Sequence, residues 1–268
     1  MENNFLKSFT WANQEIISCK ICDLDYCKEI IHRDFGAQTT ETPKENLAML
    51  MDTFETCRSI ATQRCHARLN AYKKLKGSSI HDVLEIGCGP GIFYEPFTNE
   101  KIEWTGLEIN PMWLKWGANN NIPIENGLIC DYKERFDLIF ACQLLEHFEK
   151  PRQFLKDILG ALRPGGLLHF EVPNHNSFVS NLRKISPLIS HKYGCIQPTQ
   201  HMRAYSAQTL NHLFSDFHMN LKLLSAFPND HKVWGQVRVK QPLINRMAFR
   251  ISDFLGRGSL LVGIAQKK

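Results

Sequence analysis

Residues 83–91 read Val-Leu-Glu-Ile-Gly-Cys-Gly-Pro-Gly, an apolar run carrying one acid and then three glycines in five positions. A short apolar run that breaks on glycine predicts a buried strand entering a tight turn. Glycines at 87, 89 and 91 remove side chains from that turn, so bare backbone can approach a ligand. In open α/β sheets, ligands sit at strand carboxyl ends, and the first strand-to-helix turn is a usual place. The following helix start offers free N–H groups to an anion. Few other folds make use of such a stretch.

The rest of the chain agrees with that expectation. Short apolar segments at 81–86, 102–108, about 127–131, 136–142 and 167–172 alternate with helical stretches, and two more strands are expected at about 220–226 and 259–266. Strands alternating with helices imply right-handed crossovers and a sheet covered on both faces. The expected fold is therefore α/β: a doubly wound, Rossmann-like, seven-stranded, mostly parallel sheet. Arg163-Pro164-Gly165-Gly166 reads as a sharp turn before the fifth strand, and a helix is expected at 243–255.

Ahead of the core, Thr42-Pro43-Lys44-Glu45 offers an N-cap hydroxyl, a proline at the first helical position and a glutamate to close a capping box. The helix it opens should run over 42–76 and stop at Gly77, with Leu47, Leu50, Met51, Phe54, Cys57, Ala61, Cys65, Leu69, Tyr72 and Leu75 on one stripe. The organisation that follows is a cysteine-containing extension over 1–41 and one domain over 42–268. Within that domain, 78–268 is the core and about 174–200 is a lid insert after the fifth strand.

Composition narrows the function classes. With 43% apolar and 22% charged residues the chain is ordinary for a globular protein, and it has no apolar run long enough to span a membrane. The start lacks a basic segment followed by an apolar stretch, and nine scattered cysteines suit a reducing compartment, so the expectation is cytoplasmic. A net charge of +5 is too mild to announce nucleic acid. Yet no acid occurs from Val172 to Ser215, a span that carries Arg183, Lys184, Lys192, Arg203 and four histidines. That span is a local positive field.

The loop spacing selects among ligands. A dinucleotide fingerprint needs a glycine or alanine where Ile92 stands, and a phosphate-binding Gly-Lys-Ser/Thr loop is absent. What remains is a nucleoside ligand without a pyrophosphate.

At this point the sequence resembles a known family. Val83–Gly91 is similar to the first motif of class I S-adenosylmethionine-dependent methyltransferases, and the resemblance continues in order across roughly 81–268. Gly106–Pro111 resembles the second strand and its closing acid, and Leu128–Tyr132 resembles the third. Phe136–Asn174 resembles the fourth strand through the fifth, as in small-molecule enzymes of quinone and sugar pathways.

The resemblance implies S-adenosylmethionine as cofactor, held by Glu85, Gly87, Cys88, Gly89, Gly91, Glu108, Ile109, Asp131, Tyr132, Cys142 and Gln143. It places Glu108 on the ribose hydroxyls, Asp131 by the adenine amine, and Glu85, oriented by loop amides, near the methionine ammonium. A turn-forming Asp131 is the alternative for that residue. Cys88, Cys130 and Cys142 are expected to converge on the cofactor pocket.

The implied reaction is methyl transfer to an oxygen or carbon of a small-molecule acceptor, anionic or lipophilic, with no nucleic acid involved. Residues 141–144, Ala-Cys-Gln-Leu, lack the Asn/Asp-Pro-Pro-Tyr/Phe of adenine and glutamine methyltransferases. Only Glu146 answers the two glutamates of arginine methyltransferases. His147 is the first candidate base because its ordinary pKa suits proton transfer near neutrality, and His201 and His175 follow it. Residues 178–190, mixing Leu182, Ile185, Leu188 and Ile189 with Arg183 and Lys184, raise a peripheral membrane contact. Alternatives in other classes are a cofactor-binding partner or sensor without catalysis, and an aminopropyl transferase. Cys19, Cys22, Cys27 and His32 raise a zinc knuckle, but the second ligand pair such a site needs is missing, so no metal is expected.

Overall fold

The structure is a computed structural model that describes residues 6–28, 44–188, 190, 192–197, 201–227, 247, 250–252 and 254–268, with side chains of the long helix from residue 55 onward. The expected cap at Thr42-Pro43, the first four stripe residues, His32 and Ile189 lie outside this description. Most of the expected 243–255 helix does too, although residues 247, 250–252 and 254 are helical.

Three strands open the chain: β1 (Leu6–Trp11), β2 (Gln14–Cys19) and β3 (Asp25–Cys27). They are followed by α1 (Lys44–Lys76), β4 (Asp82–Ile86), α2 (Tyr94–Asn99), β5 (Glu103–Leu107), α3 (Pro111–Asn120) and β6 (Ile124–Glu125). The chain continues through β7 (Phe136–Cys142), α4 (Pro151–Ala161), β8 (Leu162–Pro173), α5 (Phe178–Arg183), β9 (Arg203–Ala204), α6 (Ala207–Asp216), β10 (Asn220–Phe227) and β11 (Leu260–Gln266).

The main sheet has seven strands in the order β10-β11-β8-β7-β4-β5-β6. β4 pairs in parallel with β5 and β7, while β11 runs antiparallel between β8 and β10. The order reverses beside β4, so the glycine loop that follows it sits at the topological switch point. Every residue of β7 except Cys142 is buried, as expected for a central strand covered on both sides. One face packs Leu155, Ile158 and Phe214 from α4 and α6 against Ile139 and Phe170. The other packs Leu69 and Tyr72 of α1 and Phe97 of α2 against Leu138 and Phe140.

Within α1, Ala61, Cys65, Leu69 and Tyr72 are buried, as the stripe predicts, and Gly77 ends the helix at φ +79°. Arg68 is buried on the same face, which the stripe does not predict.

Two boundaries differ from expectation. The third strand of the core is Ile124–Glu125, and the apolar run expected at 127–131 instead forms a 3-10 turn at Ile129–Asp131. Arg163–Gly166 is not a free turn but the beginning of β8, with an irregularity between the Phe136↔Leu162 and Leu138↔Leu167 pairs that Gly165 permits at φ +74°.

The extension is not a separate appendage. β1–β3 form an antiparallel sheet completed by β9, which follows the 174–200 insert. Trp11, Ile16 and Cys27 share a small core with Cys195, Ile196 and Ala204. Asp25 clasps the two parts, because its Oδ2 accepts from His175 Nε2 at 2.8 Å while His175 Nδ1 accepts from the Cys195 amide at 3.4 Å.

Candidate functional site

β4 delivers the chain into the loop, where Gly87, Gly89 and Gly91 adopt φ of +66°, +54° and +76°. These are left-handed values that suit glycine. A Cβ on Gly87 would stand 3.0 Å from Leu144 Cδ2, and one on Gly91 would stand 2.9 Å from Ile122 Cγ2. A Cβ on Gly89 would meet only the Trp113 indole nitrogen, at 3.9 Å. Packing thus accounts for the first and third glycines, and the middle one borders open space.

Glu108, just past β5, ties the loop to α3. Its carboxylate accepts from the amides of Gly89 (2.8 Å), Ile109 (2.8 Å) and Asn110 (2.9 Å). Asn110 in turn caps α3 by accepting from the Met112 amide, and Pro111 opens the helix. Three amide donors fix the carboxylate and leave it lone pairs for a diol. Beside it lies a cavity of about 510 Å³, walled by Leu107, Glu108, Ile109, Leu128, Ile129 and Cys130, with Phe148 and Phe154 among its other lining residues. Those two rings stack at 3.9 Å. The wall is mostly apolar, with a carboxylate at one edge.

Glu85 is not held by loop amides, contrary to expectation. Trp104 Nε1 donates to its Oε2 at 3.2 Å, and the amides of Gly87 and Cys88 donate instead to the Leu107 carbonyl. Burial pushes the Glu85 carboxyl up to about 8, against the pull of Trp104 and Arg68. Arg68 is 5% exposed, lies over the Phe93 ring at 5.4 Å and stands 3.9 Å from Glu171. A half-buried acid and a buried guanidinium therefore face the same neighbourhood, a pairing that suits a ligand bearing both ammonium and carboxylate.

The remaining expected residues are dispersed. Asp131 is exposed, and its Oδ2 accepts from the Leu128 amide at 3.4 Å, so it closes the 3-10 turn. Tyr132 packs edge-on against Phe136 at 5.1 Å. Neither lines the cavity. Of the three cysteines, Cys130 alone lines the first cavity, and it is exposed there, whereas Cys88 and Cys142 have thiols that burial pushes up. Gln143 adopts φ +54°, and its Nε2 is buried without a described partner. It lines a second cavity of about 170 Å³ together with His201.

His147 is half-buried and lines neither cavity. Its ring meets His201 edge-on at 4.9 Å, and its Nε2 stands 3.9 Å from Glu146. Burial holds His201 down at about 4, helped by His147 and Lys192, so its imidazole is neutral at pH 7. Glu146 is 1% exposed, neither carboxyl oxygen has a described hydrogen-bond partner, and burial pushes it up to about 8. His175 is committed to the Asp25 clasp, which removes it as a base.

Ligand-type atoms of Glu146, His147 and His201 lie within 4.8 Å of one another, as do those of Cys142, His169 and Glu171. The second group is a closed network, in which His169 bonds Glu171 at 3.0 Å and Tyr72 at 3.2 Å. Cys19 and Cys22 flank one turn and Cys27 is buried in the small core, so the three cysteines that raised the knuckle question have different environments.

Comparison with known proteins fits this geometry. The profile described as "Methyltransferase domain" matches residues 43–224. The chain belongs to this methyltransferase-domain family. A ubiquinone biosynthesis O-methyltransferase of Parvibaculum lavamentivorans is 31% identical over 102 residues, covering 34% of this chain and 40% of the relative. One of Idiomarina loihiensis is 28% identical over 106 residues, 35% and 43% of the two chains. The match thus spans less than half the length of these curated relatives.

Among solved structures, a SAM-dependent methyltransferase from Archaeoglobus fulgidus is 20% identical with a TM-score of 0.53, covering 82% of this chain and 99% of that one. The plantazolicin methyltransferase BpumL, in complex with SAH, is 15% identical with a TM-score of 0.56 over 85% and 91%. These likenesses show the methyltransferase-domain fold.

Sequence reasoning missed Arg68 and Glu146. The signal for Arg68 was a charge interrupting an apolar stripe between Cys65 and Leu69. Glu146 carried no such signal, because an acid beside a histidine reads equally well as a surface pair.

Proposed function

We propose that this methyltransferase domain transfers a methyl group from S-adenosylmethionine to an oxygen or carbon of a small-molecule acceptor. The observation that carries the reading is the bare Gly89 backbone, tied to Glu108 and bordering open space. The apolar cavity beside Glu108 suits an adenosine, with Glu108 accepting from the ribose hydroxyls. An arriving ammonium favours the ionised form of Glu85, and Arg68 offers a charge-assisted partner to a carboxylate. Asp131 acts by shaping the Leu128–Cys130 wall rather than by touching the adenine.

When bound, S-adenosylmethionine supplies an activated sulfonium methyl for in-line displacement. The chain's own work is to position the acceptor, which proximity and orientation alone can make effective. A hydroxyl acceptor also needs a base. His201 borders the second cavity and its ring meets His147 edge-on, so this pair is the proposed proton acceptor.

No described helix is long and apolar enough to cross a membrane. None of the nine cysteines forms a disulfide, which supports a cytoplasmic site. The ubiquinone O-methyltransferase relatives favour an oxygen acceptor.

Incubation with methyl-labelled S-adenosylmethionine and a metabolite extract tests the reading. A labelled small product is expected. Binding of S-adenosylhomocysteine with no labelled product would instead assign a cofactor-binding partner without catalysis.

A further inference from the structure

The acid-free span divides its cations by task. Arg203 Nε donates to the Phe148 carbonyl at 3.0 Å, and its Nη2 bonds the Glu149 carbonyl. Lys184 turns toward the Asp25 clasp, donates to Asn176 Oδ1 at 3.3 Å and lies over the Tyr193 ring. Arg183 and Lys192 go elsewhere: both line the 170 Å³ cavity beyond the carboxyl ends of β7 and β8, beside Gln143 and His201.

Among the described residues, no aspartate or glutamate lines that cavity and neither cation has a carboxylate within ion-pair distance. Among the described residues, the hydrogen bond Arg183 makes is a long one, 3.5 Å, to the Gly194 carbonyl. The two cations oppose each other, since burial and then Arg183 hold the Lys192 ammonium below its ordinary range. Like charges gathered around one small cavity are unfavourable unless an anion completes the group. The Gln143 amide adds a buried donor with no described partner, held by a left-handed backbone at the edge of the same cavity.

We infer that this cavity binds the carboxylate or phosphate of the methyl acceptor between Arg183 and Lys192, with the Gln143 amide as a further donor. The inference rests on the methyl-transfer reading for the word acceptor, and on Arg183, Lys192 and Gln143 alone for the anion. A cavity of about 170 Å³ takes a small head group or a single ring. The remainder of the acceptor extends toward His201, which borders the same space.

The test is isothermal titration of the full chain, saturated with S-adenosylhomocysteine, with inorganic phosphate and with benzoate at constant ionic strength, with chloride as control. The wild type is expected to bind one or both anions. The double variant Arg183→Gln/Lys192→Gln is expected to bind roughly tenfold more weakly or worse, each lost charge-assisted bond contributing. S-adenosylhomocysteine affinity and melting temperature should be unchanged in the variant, since both side chains are at least partly exposed.

Absence of anion binding, equal binding in the double variant, or displacement of phosphate by S-adenosylhomocysteine each overturns the inference. A response only to phosphatidylglycerol-containing vesicles, lost in the double variant, overturns it in favour of a lipid headgroup. If S-adenosylhomocysteine fails to bind while variant-sensitive anion binding persists, the cofactor reading falls and the anion site stands.

Discussion

Gly89 and Gly91 stand two residues apart in one loop, yet an added methyl should act on different properties at each. Gly89→Ala forces a Cβ onto φ +54°, and that Cβ meets nothing of the protein closer than the Trp113 indole at 3.9 Å. The folding cost is then the left-handed strain alone, about 1–2 kcal/mol, which lowers the melting temperature by roughly 2–8 °C in a chain of this size. Gly91→Ala carries similar strain at φ +76° and also drives its Cβ to 2.9 Å from Ile122 Cγ2 and 3.3 Å from the Trp104 ring. Overpacking of that kind adds about 1–3 kcal/mol.

Calorimetric titration with S-adenosylhomocysteine separates the two. Gly89→Ala places its methyl in ligand space, so affinity should fall about tenfold or more while folding is little disturbed. Gly91→Ala should lose more stability, and its ligand loss should track that instability. Wild-type affinity in Gly89→Ala would refute the claim that this backbone was stripped for a ligand.

Other expectations follow from the buried charges and the thiols. Arg68→Met should weaken S-adenosylhomocysteine about tenfold or more while leaving adenosine affinity unchanged, because only the amino-acid end meets Arg68; equal losses for both ligands would contradict that placement. The Glu146 carboxyl is raised from 4.5 to about 8 by burial, so its contribution to stability is full below pH 4.5 and lost as pH rises through 8. Glu146→Gln should flatten that decline, whose upper limit is about 5 kcal/mol, in denaturation curves taken from pH 5 to 9; an unchanged slope would remove Glu146 from it. Cys130 is the exposed thiol on the cavity wall and should be alkylated first, with S-adenosylhomocysteine protecting it; equal rates with and without ligand would contradict its position.

The core was legible because its signals are local and redundant. Phe136–Cys142 is apolar at every position but Asp137 and is buried along six of its seven residues, and each glycine of the loop has a left-handed backbone. The β1–β2 hairpin was not legible, because its turn residues Ala12 and Asn13 adopt φ of +46° and +65° with no glycine to announce them. The third core strand was misplaced for a different reason. Ile124–Glu125 is only two residues long, and the more apolar Leu128–Cys130 stretch is used as a cavity wall.

In the site, Glu108 sits where its motif predicts, since a strand end beside a glycine loop leaves it few positions. The bases were less readable. His147, His175 and His201 look alike in sequence, and only tertiary contacts send one to a structural clasp, one to the second cavity and one behind it. Arg68 could have been suspected from its stripe position, but its partners Glu85 and Glu171 lie on separate strands of the sheet.

The most direct measurement is a crystal structure of the full chain with S-adenosylhomocysteine. The adenine should lie against Leu128–Cys130, the ribose hydroxyls should donate to Glu108, and the amino-acid end should reach Glu85 and Arg68. Density for the ligand in any other cavity, or a chain that crystallises without it at saturating concentration, would contradict the account.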